Sequence, residues 1–570
     1  MKRSRPFLKI DRDARDCSER FRKLFEGARV ARACRHGSSL PRSLEISFQS
    51  EPELEVPISY VEQKKKGGLW MPGFLCLVIT GALLAAGCNF APSYKRPATP
   101  APNAFKELTP ETAKELDGWK TAQPSDAAIK GKWWEVFNDP KLNALEDQVD
   151  ISNQTVAAAL ANFLSARAVM KQNRSQFFPT ATADPTVTRR RQPVLNTSSF
   201  SSVTNSHPNT FTEYTLPLDA SWEPDFWGRV RNTVRASRYE AQATLADLEN
   251  TRLTVQSELA VDYFQVRSLD TQEKLLTDAV NAYRESYRLT KVRHDTGIAS
   301  DQDVAQAEIQ LNSTAAQATD IGIQRAQLEH AVAVLIGKAP AAFSISVSPL
   351  YTRPVAVPFG VPSNLLERRP DIAAAERRVA AANAQIGVAR AAYFPNITLS
   401  ASAGYESTST ANLFTGPAFL WSLGAAGAQT IFDAGNKFAV TEQAKAQYRN
   451  VVATYRQTVL SAFQDVEDNL VSLRLLSTEI QQQDDAVSSA QRYLNLANDR
   501  YKLGIDSYLN VIVAQTALLN NERTAATLRL TQLQSTVQLI KALGGGWSGD
   551  WTKPEPPGGS AVQRSAAAAN

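Results

Sequence analysis

Two stretches of the chain combine a helical period with an absence of breakers. From Arg229 to Thr296, and again from Asn436 to Leu503, 68 residues pass without one Gly or Pro. In the first, Leu245, Leu248, Val255, Leu259, Val266, Leu269 and Leu276 recur at threes, fours and sevens; in the second, Tyr448, Val452, Tyr455, Val459, Ala462, Val466, Leu470 and Leu473 do the same. This is the seam of a coiled coil on a long helix, and 68 helical residues reach ~100 Å. Elsewhere the period is two. Tyr214, Leu216, Leu218, Ala220 and Trp222 alternate with Thr215, Pro217, Asp219 and Ser221. Ile397, Leu399, Ala401 and Ala403 alternate with small polar residues, and Trp421, Leu423, Ala425, Gly427 and Ile431 continue the pattern. Strands of about 9–11 residues with one apolar face suit a transmembrane barrel, although a soluble amphipathic hairpin gives the same alternation.

The two long segments belong to an internal repeat. A shift of 207 residues places Gly228 on Gly435, Arg293 on Arg500, Gly297 on Gly504, Ser300 on Ser507 and Gly337 on Gly544. Each copy reads helix, β-hairpin, very long helix, tight turn, helix, with the shorter helices expected at roughly 141–176 and 300–337. Four strands per chain cannot close a barrel, and an open sheet edge is not tolerated in lipid, so spanning strands require oligomerisation. Sequence physics leaves two or three subunits open.

The amino-terminal region reads as a precursor. Lys64, Lys65 and Lys66 precede an apolar run from Met71 to Gly87, too short for a comfortable span, that ends in Leu84-Ala85-Ala86-Gly87-Cys88. Small residues and a cysteine at the end of a signal resemble a bacterial lipobox, which makes Cys88 the expected lipidation site; Asn89 in place of Asp resembles outer-membrane lipoproteins. Because a signal opens a chain, translation is expected to begin near Val61. Residues 1–87 hold 16 of the 62 basic and 10 of the 57 acidic residues, so the overall +5 belongs to this segment and residues 88–570 carry −1. The charge therefore implies no nucleic-acid partner. Cys17, Cys34 and Cys76 also precede Cys88, which excludes a disulfide scaffold.

No Walker loop, zinc motif or nucleophile elbow is present, so neither catalytic residues, cofactor nor metal site is expected. Candidate function concentrates in the turns between helices. Gly297 and Gly504 suit the left-handed residue that ends a helix. Ser300 with Asp303, and Ser507 by analogy, suit a capping box for the returning helix. Asp506 is set apart because its repeat partner is Ala299. It reads either as a helix-capping aspartate or as one carboxylate of a ring around an aperture.

Three segments carry a resemblance to the TolC-type outer-membrane efflux family, in its OprM/NodT-like lipoprotein branch. They are Phe90-Ala91-Pro92-Ser93-Tyr94-Lys95-Arg96-Pro97; Leu365-Leu366-Glu367-Arg368-Arg369-Pro370-Asp371-Ile372 running on to Tyr393-Phe394-Pro395; and Tyr501-Lys502-Leu503-Gly504 with Leu543-Gly544-Gly545-Gly546-Trp547. The resemblance implies an α+β membrane protein: a homotrimer with a shared twelve-strand barrel continued by a long periplasmic α-helical barrel. It implies an exit duct for small molecules, working with a periplasmic adaptor and an inner-membrane pump of the RND type, and lipid anchoring in the outer membrane. It also implies that Gly297, Ser300, Gly504, Asp506 and Ser507 sit at the periplasmic gate, where the adaptor docks. The expected organisation is a precursor at 1–87, a mature start and first repeat at 88–345, a second repeat at 346–547 and a disordered tail at 548–570. A type I protein-secretion duct and a non-conducting coiled-coil scaffold are the alternatives.

Overall fold

The structure is a computed structural model that describes residues 89–99, 105–106, 132–192, 209–350 and 369–545. Cys88, the signal, the expected start near Val61 and the tail lie outside the described residues. Among the described residues there are seven α-helices: α1 Pro140–Ser152, α2 Gln154–Ser175, α3 Arg229–Asp295, α4 Asp301–Leu335, α5 Pro370–Ala391, α6 Asn436–Lys502 and α7 Tyr508–Ala542. Five strands accompany them: β1 Thr180–Ala183, β2 Thr186–Gln192, β3 Asn209–Trp222, β4 Asn396–Ser407 and β5 Phe419–Ala428. No described helix is long and apolar enough to cross a membrane.

The chain divides into two compact units. The first contains Gln176–Thr233 and Ile386–Thr441 and holds one antiparallel sheet, with β1 and β2 both on β3, then β4, then β5. β1 and β2 keep a single register against β3, with Thr180 opposite Ser221 and Thr186 opposite Thr215. They are one strand interrupted at Asp184-Pro185, where proline has no N–H for the ladder. The sheet is therefore four strands wide and antiparallel throughout. Tyr214, Leu216, Leu218, Ala220 and Trp222 share a face with Ser407, Tyr405, Ala403, Ala401 and Leu399, and the last four with Phe419, Trp421, Leu423 and Ala425. Ile431, expected to continue β5, lies beyond its end at Ala428 and is 97% exposed. Thr430 stands where the strand stops, and its carbonyl accepts from Lys437 Nζ instead of from a ladder N–H. At this same end of the sheet, just before β4, Phe394 stacks between Phe90 and Trp227, with ring centroids 4.3 Å and 5.0 Å away.

The second unit contains the remaining helical segments, Ser93–Ser175, Val234–Gln385 and Glu442–Asn570, as far as they are described. Both long helices run 67 residues and both returning helices 35. The predicted seams are the buried ones. Leu248, Leu259, Val266 and Leu276 of α3 and Tyr455, Val459, Ala462 and Val466 of α6 are almost wholly inaccessible and, apart from Leu276, join one core with Val537 and Ile540 of α7. Burying each such side chain stabilises by about 1.5–3 kcal/mol, which offsets the ordering of helices whose outer faces are polar. The helix expected over 141–176 is two. Asn153 stands between α1 and α2 with extended backbone, ends α1, and caps α2 through Val156 N–H donating to its Oδ1 at 2.9 Å. Its Nδ2 donates to Leu335 O at 2.7 Å, which fixes the break against the end of α4.

A buried ionic cluster ties the segment after α4 to α3. Asp270, wholly buried, accepts from Arg267 Nη1 at 3.0 Å, Arg325 Nε at 2.6 Å and Ser348 N–H at 2.9 Å. Arg325 continues to Glu329 and Ile345 O, and Glu329 accepts from Ile345 N–H at 2.6 Å. Every polar atom of Asp270 is thus used, as a buried carboxylate requires.

Candidate functional site

The turns that close the two helix pairs, α3 with α4 and α6 with α7, both lie in the helical unit. Each is built by a glycine. Gly297 and Gly504 have φ of +76° and +74°, the left-handed region that a Cβ disfavours. After α3, Gly297 N–H donates to His294 O and Ile298 N–H to Arg293 O, both at 2.7 Å. After α6, Gly504 N–H donates to Tyr501 O at 3.0 Å and Ile505 N–H to Arg500 O at 2.9 Å. This paired closure satisfies the last helix carbonyls and reverses the chain in a few residues.

The two returning helices start differently. Ser300 makes both halves of a capping box: Asp303 N–H donates to its Oγ at 3.2 Å, and its own N–H donates to Asp303 Oδ2 at 3.1 Å. Ser507 makes no side-chain cap, contrary to the expectation. The residue three positions on is Asn510, and Asn510 Nδ2 donates to Asp506 Oδ1 at 3.0 Å. Asn510 N–H donates to the Ser507 carbonyl at 3.2 Å and not to its hydroxyl, and the Asn510 side chain is engaged by Asp506.

Asp506 does not cap the backbone. Its partners are side chains, Asn510 and Arg500, and the Arg500 Nε donates to Oδ2 at 2.6 Å. The Arg500 bond holds the Asp506 carboxyl below the usual carboxylate range. The ion pair is solvent-accessible on both sides, so it is screened and modest in energy. In the first turn Ala299 replaces Asp506, and Arg293, the repeat partner of Arg500, lies instead over the Tyr501 ring at 4.6 Å. Tyr501 meets Tyr508 at 5.3 Å between centroids. Beneath them Ala307, Ala497, Tyr508, Val511 and Ala514 form a small buried cluster. The structure thus brings Gly504, Asp506 and Ser507 together on one turn, with Arg500 and Asn510 as partners. It places Gly297 and Ser300 on the equivalent turn. Arg500, Arg293 and Tyr508 were missed as site residues because an arginine or tyrosine in a polar helical run carries no signal of its partner. The repeat alignment of Arg293 with Arg500 and Ala299 with Asp506 was the available clue.

The chain thus carries a sheet with an apolar band on one face in one unit, and paired helices of 67 and 35 residues reversed at tight turns in the other. Residues 145–338 and 361–545 match the family model described as outer membrane efflux protein. The chain is 32% identical over 477 residues to the probable efflux pump outer membrane protein TtgC of Pseudomonas putida, covering 83% of this chain and 95% of that one. It is 32% identical to the pyoverdine export outer membrane protein OpmQ of Pseudomonas aeruginosa, with 83% and 97% covered. The solved structure of the outer-membrane channel OprN superposes with a TM-score of 0.72 at 28% identity, over 81% of this chain and all of the other. The chain belongs to the outer membrane efflux protein family. It is an outer-membrane efflux channel protein, in a family of channels rather than enzymes.

Proposed function

We propose that three copies of this chain, each built from two repeats, assemble into one exit duct of a tripartite efflux system. The observation that carries this reading is the open sheet. Among the described residues β5 pairs only with β4, and β1 and β2 only with β3, so both edges of a four-strand-wide sheet present unpaired backbone. Its outer face is apolar and exposed: Trp421 and Leu423 are 67% and 76% accessible. Such edges must pair in lipid, and β5 against the first strand of a neighbour closes twelve strands with no edge left. In this arrangement the helical unit continues the duct into the periplasm. A periplasmic adaptor and an RND-type inner-membrane pump supply recognition and energy, and acylation of Cys88 anchors the chain. Relatives named for toluene, antibiotic and pyoverdine export support small-molecule cargo.

The turns at Gly297–Ser300 and Gly504–Ser507 then form the periplasmic end and the adaptor contact. Asp506 and Arg500 make three neutralised pairs in a trimer, a latch rather than a ring of bare carboxylates. Native mass spectrometry with planar-bilayer recording tests the duct: a trimer with single-channel currents is expected, and a non-conducting monomer refutes it. Asp506→Ala and Arg500→Ala should raise open probability to the same extent, since each removes the same pair. Unchanged opening in both leaves Asp506 a local turn contact.

A further inference from the structure

On the outward face of the sheet, apolar character gives way abruptly to two arginines. β2 ends Thr188-Arg189-Arg190-Arg191-Gln192. Its register against β3 places Val187 opposite Tyr214, Arg189 opposite Thr212 and Arg191 opposite Thr210. Residues two apart share a face, so Arg189 and Arg191 continue the face of Val187, Tyr214, Leu216, Leu218, Ala220 and Trp222. Arg190 points to the other face, where it pairs with Glu213 and lies 5.3 Å from the Phe211 ring. Arg189 and Arg191 are exposed and form no ion pair among the described residues. They are the only charged residues on that face of the five strands. The segments joining the strands at this end, 193–208 and 408–418, contain no Asp or Glu.

Depth follows from strand geometry. Tyr214 to Trp222 spans about 27 Å along the strand, or about 21 Å of membrane at a tilt near 40°. By the same conversion Arg189 and Arg191 stand about 5 and 10 Å beyond the Tyr214 row. The headgroup layer is about 5–7 Å thick on each side of the hydrocarbon. The opposite strand ends run on to α3 and α6, so under the duct reading the arginines lie on the cell-exterior side.

We propose that Arg189 and Arg191 form a site for the phosphate groups of outer-leaflet glycolipid, one site per subunit. Guanidinium groups match phosphate oxygens in a bidentate fork, and each basic residue at an anionic surface adds to the attraction. The inference rests on the duct reading for its depth and sidedness. The test is native mass spectrometry of the full trimer titrated with bisphosphorylated lipid A and with the dephosphorylated lipid. The wild type should take up to three phosphorylated lipids and discriminate against the dephosphorylated form. Arg189→Gln/Arg191→Gln should bind the phosphorylated lipid roughly 30-fold more weakly, about 2 kcal/mol at 1.4 kcal/mol per tenfold. Arg190→Gln, on the other face, should bind as wild type, and Arg189→Lys/Arg191→Lys should stay within about threefold. Equal binding by wild type and the double Gln variant overturns the site, as does indifference to the lipid phosphates. Displacement by millimolar inorganic phosphate overturns the lipid as its occupant. A conducting trimer with any of these results refutes the lipid site alone, whereas absence of conductance refutes the duct.

Discussion

Asp270 offers the sharpest test of what holds the helical unit together. Asp270→Ala removes one carboxylate and strands three donors: the guanidiniums of Arg267 and Arg325 and the Ser348 N–H. The Arg267 side chain is 4% exposed and that of Arg325 13%, so water replaces little of what is lost. Removing one member of a buried pair costs about 3–5 kcal/mol, because the survivors keep a desolvated charge. Arg267 retains Ser346 O and Arg325 retains Glu329 and Ile345 O, so the lower half of that range is expected. The loss falls first on residues 343–350, whose amides at Ile345 and Ser348 bond to this cluster. Hydrogen exchange read on peptides covering that segment should therefore accelerate about 10²–10³-fold at 1.4 kcal/mol per tenfold. The α6 seam near Val459 should exchange as before. Acceleration below fivefold, or an equal acceleration along the whole chain, refutes the assignment of a local clasp.

Other outcomes follow from particular side chains. Burial and the neighbouring Glu258 push the Asp262 carboxyl up to about 6. The folded state then holds its proton more tightly than the unfolded chain, so stability is greatest below pH 4 and declines as pH rises to about 6. Asp262→Asn should flatten that decline and raise the melting temperature at pH 7.5 but not at pH 4; equal shifts at both pH values refute it. Glu146 is wholly buried with neither oxygen hydrogen-bonded, and burial holds its carboxyl well above the usual range. Burial thus favours the neutral acid in the folded protein, so Glu146→Gln should leave the melting temperature within about 1 °C at pH 5, and a larger change there refutes this. Ser300→Ala should fray the first turn of α4 by about 1 kcal/mol in local exchange, whereas Ser507→Ala should change α7 by a few tenths at most. Equal effects would contradict the difference in capping.

Much of this architecture was legible because long-range order is written into local periods. The seam positions Leu248 to Leu276 and Tyr455 to Leu470 are buried as their spacing requires. The turn glycines take the predicted left-handed conformation. Three features were not legible. The first strand escaped because its thirteen residues are mostly Thr, Ala and three consecutive Arg, broken by Asp184-Pro185, and Val187 alone does not make an apolar alternation to mark it. The break at Asn153 escaped because its cause is a tertiary bond to Leu335 O. The Arg500 partner of Asp506 escaped because a six-residue separation across a turn belongs to no helical or strand spacing.

The equal lengths of the paired helices carry a consequence for how such a chain can change. One residue added to α3 would turn everything after it by about 100° and advance it by 1.5 Å. The seam would leave the core, the turn at Gly297 would point elsewhere, and α4 would return out of step with α7. Helix length is therefore a shared phase among all four helices. Change in length is confined to segments that carry no phase, the strand-joining stretches 193–208 and 408–418, or to paired insertions of whole heptads. The ~100 Å shaft behaves as a gauge, set once and copied in both halves of the chain.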